Sequence, residues 1–452
     1  MKADKSRPRT PKSITVGSGM THEEHTTDDH GRFIHPFAHA APDATSIYYE
    51  ESGTISTRLS RVPGSSKYIS PSDESNATTS SSRAILSNQS QAHPQATKSD
   101  YTVFEALKKV SSEALGSLLK TYGSATFKQE PLLNSWNLRY LGDVFVGTPM
   151  QDFQVVWDTG SSTFLIRSSD CTNCGWSSKF QIEDSSTFRY VSPTTYDTVR
   201  YMSGNELSGK LAHDNVCPVT DADSCANDFR FVAIETVYGL DTQVDGLVGL
   251  WSGNKAAYDK TEMFMYTMIE TSTITDNIFS FFLTGLDGDS YIDFGTPNPA
   301  AMSDPSAILY IPIEDENYWW TSKISGIRWQ GSTEEYALEE IDGVTDTGTS
   351  CIIGPWAEVK QIEYHILSHL EGPVYDDDYW TYTFRCSDLK NLPSFEMLYG
   401  GYWFEVLPED YVIDIGLNSC TLCFTAYYSL DEWILGDAFM RGWYNIHDHD
   451  NL

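Results

Sequence analysis

Two short stretches carry the residues best suited to chemistry. WDTGSS, Trp157 to Ser162, sits in the apolar run FQVVWDTGSSTFLI, and 188 positions on DTGTS, Asp346 to Ser350, recurs within GVTDTGTSCIIGP. An aspartate in an otherwise apolar strand is costly to bury unless it is hydrogen-bonded or paired. One copy alone is equally compatible with a glycine turn whose Asp caps its own backbone. Two copies imply two similar lobes, each contributing one carboxylate. Carboxyl groups facing each other across an interface cannot both ionise cheaply, so Asp158 and Asp346 are expected to hold one proton between them. One member can then act as general base on a water while the other protonates a carbonyl. Gly160 and Gly348 let main-chain N–H groups approach the carboxylates. The neighbouring hydroxyls of Thr159, Ser161, Thr347 and Thr349 are candidates to hold the two carboxyls coplanar.

The elements that must position these residues follow in a recognisable order. LRYLGDVFVGTPMQDFQVVWDTGSS, Leu138 to Ser162, reads as a hairpin leading into the first loop. DGLVGL, Asp245 to Leu250, and WILGD, Trp433 to Asp437, are apolar-apolar-Gly segments, one for each loop. IFSFFLTGLDGDSYIDFG, Ile278 to Gly295, reads as further strands, and YWW, Tyr318 to Trp320, is an aromatic segment beyond them. Together these motifs make the chain from about Glu130 onward resemble the pepsin-like (A1) aspartic endopeptidases. The resemblance implies a mostly β, bilobal fold with a cleft between two similar lobes, residues 130–303 and 304–452. It implies hydrolysis of peptide bonds in extended polypeptides at acidic pH by water held between Asp158 and Asp346. Gly160, Gly348, Thr349 and Tyr201 would meet substrate, while Thr159, Ser161 and Thr347 would support the carboxylates. The chemistry calls for no cofactor and no metal, and the chain is expected to act as a monomer.

Tyr201 lies in VRYMSGNELSGKLAHD, a Gly-punctuated hairpin placed where the family has a flap over the substrate. Without the family frame it would read as an ordinary exposed hairpin. Met202 stands where a Gly commonly follows the flap Tyr, and the hairpin reads one residue longer. Leu165 stands where a Trp commonly hydrogen-bonds that Tyr, so flap closure is expected to be looser or differently supported. The chain ends in YNIHDHDNL where a last apolar strand is expected. This makes the second lobe's sheet look incomplete and the chain truncated. The HDHD of that tail reads as a solvated terminus rather than a metal site.

Charge divides the chain. Residues 1–128 carry a net charge of +2, and the remainder −35. So acidic a body argues against nucleic acid or an anionic membrane as partner. It fits either a highly solvated surface or an enzyme working in acid, where protonation relieves the self-repulsion. The first hundred residues are Ser/Thr-rich, Pro-punctuated and poor in apolar periodicity, and read as disordered. No apolar signal-peptide core follows Met1 or Met20, and no run reaches transmembrane length. Asn76 and Asn88 head glycosylation sequons, of a kind that so Ser-rich a stretch also produces by chance.

TVFEALKKVSSEALGSLLKTYG, Thr102 to Gly123, brings apolar residues at helical spacing. It is either a surface helix of the body or, given its place ahead of the family-like region, part of a propeptide over 101–129. Lys120 is then either the partner of the catalytic carboxylates or an ordinary helix-end charge. Processing near Lys128-Gln129-Glu130 would release the mature enzyme. All eight cysteines lie beyond residue 170, and an even count supports disulfides in the secretory pathway, outside the cell or in an acidic vacuole or lysosome. The resemblance pairs Cys171 with Cys174 and Cys386 with Cys420, and Cys217 and Cys225 are placed to close an extra loop. Cys351 and Cys423 either pair or stay free. Two other functions compete with proteolysis. A catalytically dead homologue that only binds peptide would be separated by an activity assay, and a zinc module by metal analysis.

Overall fold

The computed structural model describes residues 127–450, apart from Trp176, Ser203, 239–243, 254–262, Asp287, 303–307, 315–318, Gly331, 333–334, 377–380 and Ser429, together with the dipeptide Thr15–Val16. The rest of the Ser/Thr-rich segment, both sequons, and the Thr102–Gly123 helix with Lys108, Lys109 and Lys120 lie outside the described residues.

Strands dominate, as the aromatic and β-branched runs predict. The largest sheet begins with Thr15–Val16, which runs parallel to Tyr196–Tyr201, and passes through Glu206–Cys217, Ala226–Tyr238, Leu165–Arg167 and Gly246–Gly249. It continues through Gln151–Asp158, Arg139–Val146, Phe127–Ser135 and Ser290–Gly295, and ends with Ile278–Phe282 and Tyr444–Asp448. A seven-stranded sheet and a four-stranded sheet build the second lobe. The fold is therefore mostly β and pepsin-like.

Both lobes use one device to present their Asp-Thr-Gly loop. Gly246–Gly249 runs parallel to Gln151–Asp158, with Gly249 opposite Asp158, and antiparallel to Leu165–Arg167. Glu432–Leu435 runs parallel to Glu335–Thr345 and antiparallel to Ile352–Pro355. Each apolar-Gly segment thus wedges between the strands that enter and leave its loop. The glycines make this possible. A Cβ on Gly249 would stand 2.5 Å from the Thr163 nitrogen, and one on Gly436 would stand 2.3 Å from the Thr349 carbonyl oxygen. Trp157 and Trp433, both fully buried, fill the space beneath the two loops. Trp157 packs on Phe294 and Phe264 with ring centroids 5.0 and 5.5 Å apart.

The tail differs from its sequence reading. Tyr444–Asp448 is a strand, and it pairs antiparallel with Ile278–Phe282, so it extends the sheet of the first lobe rather than that of the second. His447 and His449 are buried, not solvated. His447 stacks on Phe279 at 4.7 Å, and Trp320 stands edge-on to it at the same separation. His447 within the strand and His449 just past it, two residues apart, both lie against the rings of Phe279 and Trp320.

All eight cysteines are oxidised in pairs: Cys171–Cys174, Cys217–Cys225, Cys351–Cys423 and Cys386–Cys420. The pairing left open between Cys351 and Cys423 is formed and closes a 72-residue span. Cys420 and Cys423 also stand in C-x-x-C spacing, yet each bridges to a distant partner, Cys420 from within the strand Ser419–Leu422 and Cys423 from the residue between it and Phe424–Tyr427. Among the described residues, no helix is long and apolar enough to cross a membrane.

Candidate active site

The strand Gln151–Asp158 ends on one aspartate, and Asp346 follows directly on the strand Glu335–Thr345. Both residues are 3 % exposed. Their loops interlock through four hydrogen bonds. Thr159 N donates to Thr347 Oγ1 at 3.0 Å, and Thr347 N donates to Thr159 Oγ1 at 3.0 Å. Each hydroxyl then donates onward, Thr159 Oγ1 to the Thr345 carbonyl at 2.8 Å and Thr347 Oγ1 to the Trp157 carbonyl at 2.6 Å. Serine and threonine hydroxyls can accept and donate at once, which this closed ring requires. Thr159 and Thr347 thereby join the two lobes directly beneath the carboxylates.

The carboxylates are held almost symmetrically. Gly160 N donates to Asp158 Oδ1 at 2.8 Å, and Gly348 N donates to Asp346 Oδ1 at 2.8 Å. Thr349 Oγ1 adds a second bond to Asp346 Oδ2 at 2.6 Å. Ser161, the equivalent residue beside Asp158, is fully buried and favours the charged form of that carboxyl, but its Oγ makes no aligned hydrogen bond. Asp158 therefore has fewer donors than Asp346. Each glycine also lies against the carboxyl of the opposite loop. A Cβ on Gly160 would stand 2.3 Å from Asp346 Oδ1, and one on Gly348 would stand 2.3 Å from Asp158 Oδ1. Only glycine lets the two loops close to this separation.

Burial pushes the Asp158 carboxyl well above the usual carboxylate range, and the adjacent Asp346 charge pushes it further. The Ser161 hydroxyl pulls the other way, ahead of the further push from the hydrogen bond shared with Asp346, and the Gly160 N–H lowers it least. A buried carboxyl pair that shares a proton is the arrangement able to take one proton and give another in the same step.

Tyr201 ends the strand Tyr196–Tyr201 and receives the turn of the flap hairpin, with its N–H donating to the Asn205 carbonyl at 2.9 Å. Gly204, at φ +79°, takes the left-handed backbone that this tight turn needs. Tyr201 packs against an apolar cluster containing Leu165, Val199 and the Cys171–Cys174 bridge. Its Oη is buried and has no hydrogen-bond partner among the described residues. Burial and the charge of Asp158 both raise the phenol pKa strongly. Leu165 is fully buried and supplies only apolar contact, so the flap Tyr is supported by packing.

Sequence reasoning missed a third buried carboxylate. Asp437, the last residue of WILGD, is 1 % exposed, and its N–H donates to the Thr349 carbonyl at 2.8 Å. Burial raises its pKa far above the carboxylate range, Arg441 opposes that shift, and Asp346 and Asp158 add to it. Arg441, also buried, donates from Nη1 to the Asn137 carbonyl at 3.0 Å and from Nη2 to the Asp410 carbonyl. The signal was present as an acid and a base four residues apart at the end of an apolar segment. Trp320, the last residue of YWW, donates from Nε1 to the Leu250 carbonyl at 2.7 Å and so ties the second lobe to the segment beneath the first loop.

Comparison with known proteins gives a consistent result. The profile of the eukaryotic aspartyl protease family matches residues 139–452. The chain is 31 % identical to vacuolar protease A of Neurospora crassa over 333 residues, covering 70 % of this chain and 78 % of that protein. It is 29 % identical to embryonic pepsinogen of Gallus gallus over 337 residues, 72 % of this chain and 82 % of that one. It is 28 % identical to cathepsin D of Homo sapiens over 348 residues, 71 % and 81 % respectively.

Proposed function

Because this chain belongs to the eukaryotic aspartyl protease family and is an aspartic-type endopeptidase acting on polypeptides, we propose that Asp158 and Asp346 are its catalytic pair. The observation that carries the assignment is the ring joining Thr159 and Thr347, which sets both carboxyls face to face across the lobe interface. In the free enzyme the shared proton rests on Asp158, the carboxyl with fewer donors. Asp346 takes a proton from water held between the two, and the resulting hydroxide attacks the scissile carbonyl carbon. Asp158 gives its proton to the carbonyl oxygen. Collapse of the tetrahedral diol then returns that hydroxyl proton to the dyad and passes a proton to the leaving nitrogen, so no covalent enzyme intermediate forms. Gly160, Gly348 and Thr349 border the reacting carbonyl, and Tyr201 closes over the substrate from the flap.

The test is turnover of an unstructured protein between pH 3 and 6 by Asp158→Asn and Asp346→Asn. Each is expected to fall by a factor of about 1,000 or more while melting near the parent temperature, because Asn keeps the shape and part of the hydrogen bonding. Near-parental turnover in either variant overturns the assignment.

The remaining organisation belongs to the same proposal. Residues 1–100 are a low-complexity N-terminal region, 101–129 a propeptide, and 130–303 and 304–452 the two lobes of a monomer. Four disulfides support passage through an oxidising compartment of the secretory pathway. Lys128, Gln129 and Glu130 already pair with Phe294, Asp293 and Ile292 in the sheet. Processing at that point requires the start of the strand to leave the sheet.

A further inference from the structure

Asp293 is completely buried in the sheet strand Ser290–Gly295 and touches both ends of the described body. Gln129 Nε2, from Phe127–Ser135, the first strand of that body, donates to its Oδ1 at 2.8 Å. Tyr444 Oη, from the last strand, donates to its Oδ2 at 2.8 Å. Tyr444 in turn accepts from the Asn298 N–H at 2.9 Å. Residues 129 and 444 are therefore joined through one carboxyl, although the strands that carry them are separated by two others in the order of the sheet. We propose that Asp293 is a pH-dependent clasp that holds the first and last strands in the sheet in acid and loosens them toward neutral pH.

Among the described residues no cation compensates the Asp293 carboxylate. Gln129 faces it from the first strand, Tyr444 from the last, and Tyr291 lies two residues away on its own strand. Ser280 is the paired residue on the intervening strand, and Asp448 stands on the same face two residues beyond Ile446, the partner of Ser280. Lys128, Glu130 and His447 alternate onto the opposite face, where Lys128 pairs with Asp221 at 2.9 Å. A carboxylate in such a place is stabilised by two donors but is fully desolvated, and desolvation wins. Burial pushes its pKa up to about 6, against the pull of Tyr444 and Gln129. The folded form thus binds a proton that the unfolded chain has already lost between pH 4 and 6. Stability from this group is complete below the unfolded pKa and is lost as pH rises through about 6.

Two substitutions move this dependence in opposite directions. In the full chain carrying Asp158→Asn to prevent self-digestion, thermal melting and amide exchange of residues 127–132 and 444–448 are followed at pH 4 and pH 7.5. Asp293→Asn keeps the shape and removes the charge, so its fall in melting temperature between the two pH values should be smaller than the parent's. Tyr444→Phe removes a donor to the charged form, so its fall should be larger, with faster exchange of both strands at pH 7.5 and little change at pH 4. The same fall in all three proteins overturns the proposal, as does faster exchange that is equal at both pH values. If Asp293→Asn does not fold, the Tyr444→Phe comparison alone decides.

Discussion

Thr159 and Thr347 exchange hydrogen bonds across the lobe interface, each N–H donating to the other's Oγ1 at 3.0 Å. Each hydroxyl is therefore an acceptor and a donor at once, and a side chain that lacks both capacities breaks two bonds. Thr347→Val has the same shape but leaves the Thr159 N–H and the Trp157 carbonyl unpaired in a buried place. Unsatisfied buried groups cost roughly 1–3 kcal/mol each. A lower melting temperature and a loss of kcat of about tenfold or more are expected, whereas Thr347→Ser should stay within about threefold. Equal activity of the Val and Ser variants would show that the ring does not position the carboxylates.

Gly348→Ala tests the closeness of the loops. Its methyl would stand 2.3 Å from Asp158 Oδ1, well inside van der Waals contact, so one of the two loops must move. Overpacking of this kind costs typically 1–3 kcal/mol, and here the displaced group is the carboxyl proposed to react. We expect kcat/KM to drop at least a hundredfold, with weakened binding of a transition-state-mimicking inhibitor and a melting temperature only a few degrees lower. Gly160→Ala should behave alike, because it meets Asp346 at the same distance. Parental kcat/KM in both variants would contradict the stated geometry.

His447 sets a limit at the acid end. Burial among Phe279, Phe281 and Trp320 holds its imidazole pKa down at about 3, and the neighbouring His449 lowers it further. The unfolded chain binds a proton near pH 6.5 that the folded chain refuses until about 3. Stability from this group is present above the unfolded pKa and is lost as pH falls through that window. His447→Phe should therefore raise the melting temperature at pH 3 to 4 relative to the parent and change it little at pH 7. The expected gain is of the order of a few kcal/mol at 1.4 kcal/mol per pH unit. A variant no more stable than the parent at pH 3.5 would show that the ring is protonated in place without strain.

The Cys351–Cys423 bridge ties the exit of the second catalytic loop to a turn 72 residues away. Constraining a loop of that length limits the unfolded chain, with a typical effect of about 2–4 kcal/mol. The double variant Cys351→Ser/Cys423→Ser is expected to melt at a lower temperature and to lose kcat as the Ser350–Cys351 segment relaxes. Cys171→Ser/Cys174→Ser closes only a short loop and should be milder in stability. It should act on the Tyr201 cluster and so raise KM more than it lowers kcat. The opposite order of melting temperatures would remove the argument from loop length.

The sequence by itself marked the pair Asp158 and Asp346, the glycines and hydroxyls around them and the mostly β architecture, and its resemblance to a known family supplied the Cys171–Cys174 and Cys386–Cys420 pairings. Those features are local, since a five-residue motif repeats and apolar-Gly segments accompany each copy. What only tertiary structure decided depends on which strands become neighbours. Cys351 and Cys423 pair because the strands that follow them, Ile352–Pro355 and Phe424–Tyr427, run side by side in parallel. The tail YNIHDHD looked polar and terminal, yet its alternation places His447 among rings contributed by residues 279 and 320. Asp437 stands in a quoted motif, but its burial against Asp158 and Asp346 follows from the crossing of Gly436 beneath Thr349. Asp293 gave no signal, because an aspartate in SYIDFG becomes a buried bridge only when Gln129 and Tyr444 arrive from opposite ends of the described body. Burial and pKa are properties of assembled neighbours, and the chain order alone does not contain them.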